Sequence, residues 1–171
     1  MIYDSAVLEK IGQIKLKVED NAKVIDNLVS EIITPYVKDL DAYVDFVRSC
    51  LKDGEHPLTD SELEDISNNM ATYIYYASGM CEQLGVRDDI SKALYREAYN
   101  NARLDLDKGT VDDKNTIAES KSQQEQLVNI CYSRAYRTLK AKVDAAQELL
   151  SSVKKVLTKR ISDAQLTRMG E

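Results

Sequence analysis

Residues 131–171 read CYSRAYRTLKAKVDAAQELLSSVKKVLTKRISDAQLTRMGE, and their apolar members keep helical time. Leu139, Val143, Ala146, Leu150, Val153, Leu157, Ile161 and Ala164 recur in steps of four and three. At about 100° per residue they hold to one narrow stripe, which predicts a long helix with a single packing face. Arg134, Arg137, Lys155 and Lys159 fall on roughly the opposite side of the same wheel. The segment carries nine Lys or Arg against four Asp or Glu, and the remainder carries 14 against 25. A helix of net +5 on a body of net −11 points to a polyanion or an acidic partner.

Moving outward from that helix, the preceding residues divide at clear punctuation. Asp107-Lys108-Gly109-Thr110 closes one helix, and a loop to about Asn115 leads into the final one. Upstream, Thr59-Asp60-Ser61-Glu62 reads as a capping box, Thr59 and Glu62 satisfying each other's free amides. The helix it opens carries Leu63, Ile66, Met70, Ile74, Ala77, Cys81 and Leu84, and Gly85 is expected to end it. A further helix then runs from Val86-Arg87-Asp88-Asp89 to Leu106.

Asp53-Gly54-Glu55-His56-Pro57 is a loop, and it marks the expected boundary between an N-terminal arm, 1–53, and a helical body of three main helices, 58–171. The arm is the most regular segment. Val7, Ile11, Ile14, Val18, Asn21, Ile25, Leu28 and Ile32 alternate by four and three like a coiled-coil seam. Asn21 is the seam's polar member, and a buried Asn there would set register or oligomer number. Its other reading is a solvated point on an intramolecular helix pair. Thr34-Pro35 should break or restart the helix, Thr34 as cap and Pro35 in the first turn. Val37, Leu40, Val44, Val47 and Leu51 carry the same spacing onward. With no β alternation anywhere, the expected fold is all-α: helical hairpins, a long C-terminal helix and a coiled-coil-like arm.

Composition excludes several classes. Six Gly, two Pro and 43% hydrophobic residues are not those of a disordered chain. No apolar run approaches the ~20 residues that span a bilayer. The start, Met1-Ile2-Tyr3-Asp4, does not have the form of a secretory signal, so a cytoplasmic location is expected. Cys50, Cys81 and Cys131 are far apart and odd in number, which favours reduced thiols over a disulfide framework. The apolar stripe is needed for packing and lacks Trp or Phe anchors, so membrane binding is not expected.

Catalysis is not expected either. The single histidine, His56, stands in a loop beside Pro57, and no phosphate-binding, hydrolase or zinc motif surrounds it. Asp105, Asp107, Gly109 and Asp112 fail as a calcium loop, since the glycine is misplaced and Thr116 occupies the last ligand position. No cofactor or metal is expected. The aromatic content is more informative, with ten Tyr, one Phe and no Trp. Tyr73, Tyr75 and Tyr76 share one helix, Tyr95 and Tyr99 the next, Tyr132 and Tyr136 the last. Interleaved with Arg96, Arg134 and Arg137, they would stack on unpaired bases while the cations hold phosphates. Alternatively they line helix–helix grooves with their hydroxyls in water. Asp144 and Glu148 lie between the basic pairs, so the same face also reads as a solvated mixed-charge surface.

From Leu58 onward the order of parts resembles a known group. It runs from the Leu58-Thr59-Asp60-Ser61-Glu62-Leu63 helix start through a tyrosine-rich helix to a hairpin with Lys108-Gly109-Thr110-Val111. Ala118-Glu119-Ser120-Lys121 and a long helix closing in Lys159-Arg160-Ile161-Ser162 follow. This layout is similar to small helical proteins of tailed phages and, more distantly, to UvsY-type recombination mediators. The resemblance implies a cofactor-free, non-catalytic protein in the bacterial host cytoplasm. It would bind single-stranded DNA as a ring-like homo-oligomer and help load a recombinase onto DNA coated with single-strand-binding protein. It carries over Lys154, Lys155, Lys159 and Arg160 as DNA contacts, beside Arg134, Arg137, Tyr132 and Tyr136 from the wheel. The acidic net charge and the arm depart from that pattern and favour a protein partner. Three classes of function follow: a single-strand DNA-binding mediator, a structural or scaffolding oligomer joined through Ile11, Ile14, Val18, Asn21, Ile25, Leu28 and Ile32, or a regulator that binds a host protein.

Overall fold

The structure, a computed structural model, describes residues 5–52, 57–106 and 109–169, and four helices account for nearly all of them. They are α1 (Ser5–Lys52), α2 (Asp60–Leu104), α3 (Val111–Lys121) and α4 (Gln123–Met169). No strand occurs among the described residues, and the fold is all-α. Met1–Asp4, the loop residues Asp53 to His56, Asp107, Lys108 and the side chain of Val7 lie outside the described residues.

The frame is the α2–α4 hairpin. Ser133 on α4 bonds Asp88 on α2, Asn129 bonds Ser91, and Arg160 reaches the Leu58 carbonyl, so the two helices run antiparallel. The apolar spacing of both helices explains the pairing. Leu63, Met70 and Leu84 from α2 and Leu139 and Val153 from α4 are almost wholly enclosed, joined by Val47 of α1. Removing each such side chain from water stabilises the fold by roughly 1.5–3 kcal/mol. The second half of α1 lies on this hairpin, burying Val29, Ile33, Val37 and Leu40 in the same core. Its ion pairs Asp26–Arg134 and Asp41–Lys142 climb both helices together, so α1 runs parallel to α4.

Three boundaries differ from the sequence expectation. Pro35 sits inside α1 rather than at a break. The Thr34 hydroxyl, instead of capping a new helix, donates to the Ser30 carbonyl at 2.6 Å. Pro35 costs about 3 kcal/mol in a helix interior. Val29, Ile33, Val37 and Leu40, buried on one face of the unbroken helix, offset it. Gly85, expected as a stop, lies within α2, which continues to Leu104. A β-carbon at Gly85 would meet Tyr136 Cε2 at 3.3 Å, so this glycine serves close approach of α4 and not helix termination. Finally, the supposed loop to Asn115 is helix α3. Thr110 and Asp113 form a second capping box, with Thr110 N–H donating to Asp113 Oδ2 at 3.1 Å and Asp113 N–H to Thr110 Oγ1 at 3.2 Å. Bonds from Thr110 hold the Asp113 carboxyl below its ordinary value, the hydroxyl contributing most. Buried Ser122, its hydroxyl on the Ala118 carbonyl at 2.8 Å, separates α3 from α4.

Candidate interaction surfaces

The first surface is the free half of α1. Residues 9–21 are all exposed, and further along the buried members Val29 and Ile33 stand one position on from the seam's Leu28 and Ile32. Ile11 is 54% exposed, Ile14 62% and Val18 59%. Asn21 is exposed beside them, while Ile25 and Ile32 pack against the core edge and Leu28 stays exposed. The seam therefore divides into a solvent-facing part and an intramolecular part. Leu51, expected to extend the second run, is exposed as well.

The second surface is the outward face of α4. The stripe opposite it packs as its spacing predicts as far as Leu157. Leu139, Val143, Ala146 and Val153 are buried and Leu150 and Leu157 half-buried, while Ile161 and Ala164 emerge into solvent. The basic side chains do not converge. Arg134 pairs with Asp26 at 3.6 Å. Arg137 donates through Nε to the Ser133 carbonyl at 3.1 Å. Arg160 is half-buried, with one guanidinium nitrogen 2.5 Å from the Leu58 carbonyl and 3.4 Å from Asp60 Oδ1. It tethers the end of α4 to the start of α2. Tyr132 and Tyr136 are half-buried against the core, Tyr136 over Gly85, so neither ring lies free beside the arginines. Lys154, Lys155 and Lys159 are exposed and form no ion pair among the described residues. From Arg134 to Lys159 is about 37 Å along the helix at 1.5 Å per residue. One short strand of nucleic acid would not meet the whole set.

The remaining tyrosines divide the same way. Tyr73 turns inward onto Tyr43, ring centroids 4.8 Å apart, and burial pushes the Tyr43 hydroxyl above its ordinary value. Tyr95 and Tyr99 lie 6.4 Å apart, with the Tyr99 hydroxyl donating to Asn115 on α3 at 3.2 Å. Tyr75 and Tyr76 alone of these point outward, edge to face.

Two features escaped the sequence reading. One is a polar cluster in the α2–α4 seam. Asp88 is buried and accepts from Ser133 and from Lys92 Nζ at 2.5 Å, while Asn129 reaches Ser91 at 3.0 Å. Burial alone would raise the Asp88 carboxyl, but the bonds from Lys92 and Ser133 and the nearby charges of Lys92 and Arg137 outweigh it and leave it lowered. The other is an apolar stripe on the outer face of α2: Tyr76, Val86, Ile90 and Leu94, with Gly79 and Gln83 in line. Its steps of four and three cross Gly85, and treating that glycine as a stop hid them.

Cys50, Cys81 and Cys131 are free, and burial pushes the Cys81 and Cys131 thiols upward. Among the described residues no group of three His, Cys, Asp or Glu is placed to hold a metal ion, and no helix is long and apolar enough to cross a membrane. No family model, curated protein or solved structure matches the chain.

Proposed function

We propose that this chain is a non-enzymatic helical assembly protein whose N-terminal arm joins copies into a homo-oligomer. The observation that carries this reading is the exposed seam of α1, where Ile11, Ile14 and Val18 lie in solvent at heptad spacing. A regular apolar stripe on an otherwise charged helix is the mark of a surface meant to be covered. Ile14→Asp with Val18→Asp tests it. The paired variant should lower the mass seen by light scattering at micromolar concentration while leaving the α2–α4 melt unchanged. A wild-type monomer sinks the reading.

A single-strand DNA-binding mediator is the second reading, favoured by the exposed Lys154, Lys155 and Lys159 on the last turns of α4. Loading of a recombinase in the presence of single-strand-binding protein would then be its role. Against it stand Arg134 and Arg160, already engaged by acids, and the packed Tyr132 and Tyr136. Fluorescence anisotropy with a labelled oligonucleotide decides between them. Affinity should fall by ~0.7 log units per log unit of salt for each phosphate contact, and Lys155→Glu with Lys159→Glu should flatten that slope. No salt-sensitive binding leaves the assembly reading alone.

A further inference from the structure

We propose that the arm of one copy docks on the outer apolar stripe of α2 in a second copy, antiparallel to it. This rests on the assembly reading and names the surface that receives the arm.

Both faces lie open in the same chain. Val86, Ile90 and Leu94 are each more than half exposed, as are Ile11, Ile14 and Val18 on the arm. Their spacings agree: Ile11 and Val18 on the arm, and Gly79 and Val86 on the stripe, each lie seven residues apart, about 10 Å at 1.5 Å per residue. Gly79 has nothing within 4 Å of a β-carbon placed on it, which leaves the stripe a shallow notch between Tyr75, Tyr76 and Gln83. A branched side chain from a facing helix would fill it.

Charge chooses between this pairing and the obvious alternative, arm against arm. With Ile11 and Val18 taken as the first core position of successive heptads, the arm's seam is flanked by Lys10 and Lys17 on one side and Lys15 on the other. Two parallel arms would set Lys10 against the partner's Lys15, which is repulsive. The α2 stripe is flanked on one side by Glu82 and Asp89, both exposed, and on the other by Met80 and Arg87, whose guanidinium is held by the Tyr36 hydroxyl of its own chain. These acids are seven residues apart, as are Lys10 and Lys17, so both pairs repeat every two turns on one side of their seam. In an antiparallel pair the corresponding flanks face each other, which matches Lys10 with Asp89 and Lys17 with Glu82. In that register Lys15 falls opposite Met80 and meets no cation. Asp89 also lies 3.6 Å from Lys92, but its side chain is 82% exposed and remains reachable.

The contact is heterologous, because the surface given differs from the surface received. Such a contact repeats from copy to copy and closes as a ring or grows as a filament.

Reciprocal charge reversal tests it on the full chain, with mass read by light scattering at low salt and helix content by circular dichroism. Lys10→Glu with Lys17→Glu, and separately Glu82→Lys with Asp89→Lys, should each weaken association on the order of tenfold through two lost pairs and two new repulsions. The chain carrying all four changes should recover the wild-type mass, and that recovery supports the pairing. If the α2 reversal leaves the mass unchanged while Ile14→Asp with Val18→Asp still dissociates the protein, the docking proposal is overturned and assembly through the arm stands. Arm–arm pairing has its own signature, since Lys10→Glu would then strengthen association. Failure of the fourfold variant to recover overturns the register. A wild-type monomer removes the assembly reading itself.

Discussion

Asp88 keeps a charge inside the α2–α4 seam, and its surroundings fix the sign of a pH effect. Its carboxyl is lowered in the folded chain, whereas an unfolded Asp titrates near 3.9. A lowered carboxyl contributes stability that is fully present well above the unfolded value. That contribution fades as pH falls below about 5 and is gone once pH passes the folded value. Asp88→Asn keeps the shape but removes the charge that Lys92 and Ser133 address. It should cost about 1–3 kcal/mol at neutral pH. Urea midpoints should show the gap from wild type narrowing at pH 3. An equal deficit at both pH values would assign the loss to packing rather than charge. Sequence offered no route to this cluster. Asp88, Ser133, Ser91 and Asn129 are ordinary polar residues until two helices set them opposite each other.

At the scale of the helix, the stripe of α4 makes a graded prediction. Leu139 is wholly buried, so Leu139→Ala should cost ~2–5 kcal/mol. Ile161 has emerged into solvent, so Ile161→Ala should fall within about 0.5 kcal/mol of wild type. Equal losses in denaturant melts would mean that the outer end of the stripe is covered in solution. This stripe was legible in sequence because four-three spacing states a helix's packing face directly. Boundaries were less so, since Pro35 and Gly85 carry the local chemistry of helix ends. At both positions tertiary packing overrode that chemistry: a continuous buried face at Pro35, and the Tyr136 ring over Gly85. Helix α3 was missed for the opposite reason. Its eleven residues bury only Ala118, too little to leave a period, and its Thr110–Asp113 box was the available signal. For the basic face of α4 the wheel gave the direction correctly. It could not show that Asp26 and Asp60, from distant parts of the chain, would claim Arg134 and Arg160.

The molecule as a whole is a three-helix body, α2, α4 and half of α1, with a short α3 at one end and a free helical arm leaving from the core. Helices of this length in isolation owe their order chiefly to what they pack against. Among the described residues of one chain nothing covers positions 9–21, so the arm and the body differ in local stability within one continuous helix. The arm also holds Lys10, Lys15, Lys17 and Lys23, all exposed. Each is a trypsin site that opens when the arm frays, while cleavage inside the body waits for the core to unfold. Dilute protein should lose its N-terminus in a rapid first step and then persist as a shorter, helical remnant. Concentrated protein should resist that first cut, and Ile14→Asp with Val18→Asp should abolish the resistance, as read by mass spectrometry of timed digests. A first cut that proceeds equally fast at every concentration would mean that the arm is never covered by another copy. The lysines of the arm thus act as a clock, timing how long each copy spends alone.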